Sequence, residues 1–287
     1  MPRPSHRDTI QKLDPVADHE RVVFLSTCYE FPFDTTRALE FALYRTYCVP
    51  SISSLLDRTG EFRLRTQKRY DDTDIIVSEL LESGYSSDRG AAALARMNAI
   101  HGRFQIANDD FLYVLSTFIY EPIRWNARFG WRPLCDVERQ AYFHFWRAVG
   151  ERMHIRDIPD TYDAFESFNQ QFERERFHYS ESNQRVGVAT RDLFLSWFPA
   201  FLRPLGRPAI YALMDDPLIQ AFGFPQPSRF TRTLVHSALR IRARVLRFRP
   251  ARSEPRLRTT MSRPSYPRGY QIDSVGPEAN GGGGDHA

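Results

Sequence analysis

Apolar residues recur along this chain at three- and four-residue intervals, segment after segment, while the two-residue alternation of a half-buried strand is scarce. That period puts side chains on one face of a helix, so the chain can build its core only by packing helices on helices. The spacing predicts a helix starting at Asp34-Thr35-Thr36, running through Ala38, Phe41, Ala42 and Tyr44, and stopping at Pro50. A second helix runs from Gln67 to Ser83 and is closed by Gly84; a third is capped at Asp88 and passes through Leu94, Met97 and His101. Asp109 to Tyr120 is apolar on most sides and reads as a buried helix, and Glu138 to Arg152 carries Tyr142, Phe143, Phe145 and Trp146. Tyr162–Phe177 follows, with shorter pieces at Asp192–Phe201 and Arg207–Met214. The expected fold is all-α, a single large multi-helix domain over residues 1–250.

The C-terminal part has a different character. From Ser228 to Arg249, Phe230, Leu234, Ala238, Ile241, Val245 and Phe248 form one stripe, with Arg229, Arg232, His236, Arg240, Arg244 and Arg247 beside or opposite it. Between Arg229 and Tyr270 there are 12 arginines against the single acid Glu254. A basic amphipathic helix of this kind either lies on an anionic membrane surface or packs its stripe inward and solvates its arginines. Beyond Pro250 the composition turns to Arg, Pro and Ser, then to Gly281–Gly284, so residues 251–287 are expected to form a largely disordered tail with little to bury.

Composition narrows the chemistry. Cys28, Cys48 and Cys135 form no CxxC pair, which argues against a disulfide framework or a thiolate zinc site. The N-terminus lacks the apolar run of a secretory signal, and the longest nearly uncharged apolar stretch, Phe111–Tyr120, is about half a membrane span. A cytoplasmic protein is the expectation, with peripheral membrane contact through 228–249 where that helix turns its stripe outward rather than inward. No GxGxxG, GxxxxGK[ST], HExxH or GxSxG string occurs, and no nucleic-acid reading motif accompanies the basic charge, so no nucleic-acid partner is expected.

Three constellations remain. Arg69 and Thr73 lie four apart on a helix and share a face, with Asp72 beside them; a guanidinium next to a hydroxyl contacts an anion or a polarised oxygen, or else pairs with the neighbouring acid on a solvated face. His101 has small and apolar neighbours, Gly102 leaves room for a flat macrocycle, and Asn98 stands one turn earlier; the imidazole is either an iron ligand or a hydrogen-bonded core histidine. Glu151-x-x-His154 and Glu175-x-x-His178 are spaced as in di-iron carboxylate sites, and a non-catalytic lipid- or partner-binding helical protein is the third alternative.

Longer strings favour the haem reading over the other two. Gln67-Lys68-Arg69-Tyr70-Asp71-Asp72-Thr73, Arg96-Met97-Asn98-x-Ile100-His101 and Asn108-Asp109-Asp110-Phe111-Leu112-Tyr113-Val114-Leu115 resemble the MpaB-like oxygenases, which share their catalytic domain with bacterial rubber oxygenase, the latex-clearing protein. Glu121-Pro122-x-Arg124-Trp125, Gly130-Trp131-Arg132, Ile155-x-Asp157-Ile158-Pro159 and Tyr266-Pro267-x-Gly269-Tyr270 extend the likeness. The resemblance implies an all-helical fold holding haem b, with His101 on the iron and Arg69 and Thr73 beside the haem. Arg124, Arg128 and Arg132 are further candidates for propionate partners, or else ordinary surface charge. It also implies O₂-dependent oxidation or C=C cleavage of an apolar, isoprenoid type of substrate. Rubber oxygenases carry a lysine immediately before the threonine; Asp72 stands there in this chain, which points to a substrate other than rubber and leaves the distal side open.

Overall fold

The computed structural model describes residues 6–277. Among them the secondary structure is helical, apart from one isolated bridge between Arg263 and Tyr266. In chain order the helices are α1 (Arg7–Ile10), α2 (His19–Phe24), a π-helical turn (Leu25–Glu30), α3 (Pro32–Thr46), α4 (Pro50–Arg58), α5 (Glu61–Leu64), α6 (Thr66–Ser83) and α7 (Asp88–His101). There follow α8 (Asn108–Phe129), α9 (Asp136–Arg152), α10 (Tyr162–Arg176), α11 (Glu181–Ser196), α12 (Arg203–Leu213), α13 (Asp216–Phe222) and α14 (Arg229–Leu246).

Helix α8 is the central rod, packed against α3, α9, α10 and α14. Leu112, Leu115, Phe118, Ile119 and Tyr120 of α8 join Phe143, Phe145, Trp146 and Val149 of α9 in the largest apolar cluster, together with Val77, Leu80 and Leu81 of α6. Gly150 permits the α8–α9 approach: a Cβ there would stand 2.4 Å from a methyl of Leu115 and 2.9 Å from one of Ile158. A second cluster joins Tyr44 and Cys48 with Val186, Tyr211, Leu218 and Phe222.

Several boundaries differ from those the sequence predicts, each for a local reason. Helix α3 begins at Pro32, whose fixed φ suits the first helical position; Asp34 is no cap but a buried acceptor for the Trp125 indole (3.1 Å) and the Arg242 guanidinium (2.9 Å). Helix α7 is capped by the Ser87 hydroxyl, which accepts from the Gly90 amide, rather than by Asp88. Helix α8 runs nine residues past Tyr120, straight through Pro122. Helix α11 starts well before Asp192, with the Ser180 hydroxyl accepting from the Asn183 amide.

The largest difference lies at the C-terminus. Residues 251–277 do not form a disordered tail but a strap laid along α6 and α7. Val275 is fully buried against Ile75 and Ile76, and Arg263 is buried too. The strap is held by carboxylates of α6: Glu82 accepts from the Arg258 and Thr259 amides, Asp74 pairs with Arg258 and Arg263, and Glu79 accepts from Tyr270 (2.6 Å). A segment poor in aliphatic residues is ordered here mainly by hydrogen bonds and ion pairs to carboxylates, with Val275 as its buried apolar anchor. Residues 278–287, including the Gly281–Gly284 run, lie outside the described residues.

Candidate active site

Helix α6 presents Thr66, Arg69, Tyr70, Thr73 and Val77 along one side, at the three- and four-residue spacing that keeps them on a common face. This side borders two adjoining cavities. The larger, about 590 Å³ including the part open to solvent, is lined by Leu39, Leu43, Val77, Leu81 and Phe118 with Thr35, Thr36, Thr73 and Ser78, and is edged by Asp74, Glu82, Arg256 and Arg258. The smaller, about 350 Å³ measured in the same way, is lined by Tyr47, Phe62, Arg69, Leu193 and Phe194 among others. Glu40, Leu43, Tyr70 and Thr73 belong to both walls, so the two spaces meet at these four side chains.

Polar groups converge at that junction. The Arg69 guanidinium donates to the Thr73 hydroxyl, which in turn donates to the Arg69 carbonyl at 3.1 Å. Arg69 meets no carboxylate among the described residues and stands 5.8 Å from the Phe62 ring. A half-buried arginine with only a hydroxyl partner retains donors for an anion. Opposite, the Tyr70 hydroxyl donates to Glu40 at 2.7 Å. Burial holds the Glu40 carboxyl above the usual carboxylate range, although Arg37 and Tyr70 pull it the other way.

His101 closes α7, its ring 5.4 Å from that of Phe111 at the start of α8. Burial pushes its imidazole down to about 4, and the positive charge of Arg69 works in the same direction. The ring is therefore neutral at physiological pH. Its Nδ1 is buried without any hydrogen-bond partner, which is costly for a polar atom unless a ligand completes it. His101 is near enough to Arg69 to feel its charge, but it does not itself line either cavity.

Other residues singled out from sequence are elsewhere engaged. Asn98 does not orient His101: its amide donates to the Arg152 carbonyl at 2.9 Å. Arg132 is not a free propionate partner, because Glu138 takes it in a bidentate pair (2.5 and 3.0 Å) and Glu30 adds a third contact at 3.3 Å, all buried. Arg124 is likewise taken up by Glu121, Glu166 and Asn169, and Arg128 lies over the Phe129 ring. Asp72 faces the strap, paired with Lys68 at 3.0 Å and accepting from Tyr266, so it offers nothing to the cavity. Glu151, His154, Glu175 and His178 are all exposed, and no group of three or more His, Cys, Asp or Glu among the described residues is arranged to hold an ion, so the two Glu-x-x-His pairs do not converge.

Two wall residues went unnoticed in the sequence. Glu40 and Tyr70 sit thirty positions apart on α3 and α6 and become partners only through the packing of those helices. The one available signal for Glu40 was an acid on the apolar side of a strongly periodic helix.

The comparison with known proteins follows the same strings. The family described as "ER-bound oxygenase mpaB/B'/Rubber oxygenase, catalytic domain" matches residues 42–248. The ER-bound oxygenase mpaB of Penicillium roqueforti is 32% identical over 210 residues, 67% of this chain and 70% of the relative. The ER-bound oxygenase mpaB' of Penicillium brevicompactum is 31% identical over 237 residues, 76% of this chain and 56% of the relative. The ER-bound oxygenase mpaB of the same species is 38% identical over 132 residues, 44% of this chain and 34% of the relative.

Proposed function

This chain belongs to the family of mpaB and rubber oxygenase catalytic domains, and from that premise we propose that it is a haem b-dependent oxygenase of an apolar, isoprenoid type of substrate, with His101 as the iron ligand. The observation that carries the proposal is the half-buried, neutral His101, whose buried Nδ1 has no partner, within the electrostatic reach of the carboxylate-free Arg69. A neutral imidazole with a vacant lone pair is the donor that haem iron takes. Bound there, haem supplies the redox-active iron that dioxygen chemistry requires.

The remaining work falls to the chain itself. Arg69 offers guanidinium N–H donors to a haem propionate or to developing negative charge. Thr73, held by Arg69, fixes the direction in which that donor pair points. The leucine, valine and phenylalanine wall of the larger cavity strips water from an apolar chain and aligns it along α6. Glu40, kept protonated over a wider pH range by burial, and Tyr70 provide a proton-holding pair where the two cavities meet. Cleavage of a C=C bond with both oxygen atoms entering the products needs no further reductant, which suits a pocket without a nucleotide-binding motif.

The test is an ultraviolet–visible spectrum of freshly purified protein. A Soret band is expected, lost in His101→Ala while far-ultraviolet circular dichroism is retained, and kept in Asn98→Ala. Iron without a Soret band, or a band indifferent to His101, refutes the proposal.

A further inference from the structure

Helix α14 has two apolar faces where a surface helix needs one. Its inner face, with Leu239, Ala243 and Leu246, packs on the body of the protein, and His236 approaches the Ala212 carbonyl at 2.9 Å. Its other stripe, Phe230, Leu234, Ile241 and Val245, continued by Phe248 just past its end, points to solvent, with exposures from 49% at Val245 to 84% at Phe248. The neighbouring stretch 197–205 is exposed throughout and carries Trp197, Phe198, Phe201, Leu202 and Leu205, with Phe201 77% and Leu205 71% exposed. It leads into α12, which packs along α14, so the two apolar surfaces belong to adjacent elements. Single exposed apolar side chains are ordinary, but ten large ones on two neighbouring elements mark a binding surface.

Charge identifies the occupant. Residues 197–214 and 228–249 contain no Asp or Glu. Arg203, Arg207, Arg229, Arg240, Arg244 and Arg249 have no acidic partner among the described residues, and all are exposed. A second copy docking through the same face would set these arginines against themselves, since a two-fold interface joins like to like. A partner that takes up apolar side chains at its surface and offers negative charge around them is a bilayer with anionic headgroups.

We propose that the outer face of α14 and the 197–205 stretch form one surface that docks in the plane of an anionic lipid bilayer. No helix among the described residues is long and apolar enough to cross a membrane, so this contact is interfacial. Trp197 also joins the surface to the candidate site: its ring lies 5.0 Å from those of Tyr70 and Phe194, both lining the smaller cavity. Docking would therefore set that cavity beside the lipid where an isoprenoid resides. That last link rests on the proposed function; the docking does not.

The test is sedimentation of the full chain with vesicles of phosphatidylcholine alone and of phosphatidylcholine mixed with phosphatidylserine, with no substrate or haem readout. Binding is expected to the mixed vesicles, weaker to the neutral ones, and to fall with added salt. Phe201→Ser with Leu205→Ser, and separately Phe230→Ser with Phe248→Ser, should each weaken it about tenfold or more, because burial of large apolar side chains drives the contact. Arg240→Gln with Arg244→Gln should weaken it about tenfold at low salt. All six positions are exposed, and an unchanged melting temperature certifies that each variant is folded. Absence of binding overturns the proposal, as does binding indifferent to either apolar pair. A stable dimer that the same replacements dissociate assigns the surface to a second copy and overturns it as well.

Discussion

Replacing Arg132 by methionine separates a structural role from a cofactor-binding one. The guanidinium joins Glu138 in two hydrogen bonds and Glu30 in a third, and stacks 4.7 Å above the Phe31 ring. Glu138 is completely buried and also accepts from the Cys135 amide at 2.8 Å, which fixes the start of α9. Arg132→Met keeps the volume and the contact with Phe31 but leaves two buried carboxylates facing each other without a cation. Removing one partner of a buried pair costs about 3–5 kcal/mol. At roughly 2–4 °C per kcal/mol for a domain of this size, the melting temperature should fall by about 6–20 °C. Thermal unfolding followed by circular dichroism measures this directly. Adding Glu138→Met should recover part of the loss, because an apolar pair replaces an unpaired charge. The haem content of the protein that remains folded should be unchanged. A single variant that melts within about 2 °C of the parent yet loses its Soret band would refute this reasoning and return Arg132 to the cofactor site.

Three further outcomes are expected. The folded His101 imidazole titrates near 4, below its ordinary value, so the unfolded chain binds a proton that the folded one refuses. The corresponding stability is fully present above about pH 6.5 and is lost as pH falls towards 4; urea unfolding at neutral and mildly acid pH should show a smaller acid loss in apo His101→Gln than in the apo parent, and equal losses would refute it. Tyr270→Phe removes one hydrogen bond to the buried Glu79, which keeps its pair with Arg89, and should cost about 1.5 kcal/mol in denaturant unfolding. Gly150→Ala drives a methyl into Leu115 and Ile158 at the α8–α9 crossing and should cost about 1–3 kcal/mol, visible as a lower urea midpoint.

What the sequence made legible was whatever depends on neighbours a few residues apart. The all-helical fold follows from a local period, and Arg69 and Thr73 share a face because four residues make about one turn. Pro122 shows where local rules fail. A proline in a helix normally ends or kinks it, yet α8 continues because its inner face is packed past the proline, with Trp125, Asn126 and Phe129 all buried beyond it. Asn98 shows a related limit: its partner, the Arg152 carbonyl, is 54 positions away and can be found only once the helices are packed. Arg132 shows it in part, since Glu138 lies only six positions along the chain whereas Glu30 is 102 away. The outward face of α14 was equally hidden, since a periodic stripe gives the side of a helix but not whether that side meets protein, solvent or lipid.

The two sides of α6 explain why one short motif contained both an apparent site and an apparent contradiction. Arg69, Tyr70, Thr73 and Val77 face the cavities, whereas Lys68, Asp72, Ile75 and Glu79 face the strap. Residues 72 and 73 are adjacent in sequence but about 100° apart around the helix, so Asp72 belongs to a different surface from Thr73. On that surface an acid is what the structure requires. Tyr266 donates to Asp72 from the strap, and Lys68 bridges Asp72 to the Gly276 carbonyl at 2.8 Å. A lysine at position 72 would stand beside Lys68 and lose both contacts. The acid at this position is thus matched to an arginine- and tyrosine-bearing strap that lies more than 180 residues further along the chain. It follows that Asp72→Lys should first loosen residues 256–277, seen as faster amide exchange in the strap. Unchanged exchange there would show that Asp72 does not hold the strap and would reopen its assignment to the cavity side.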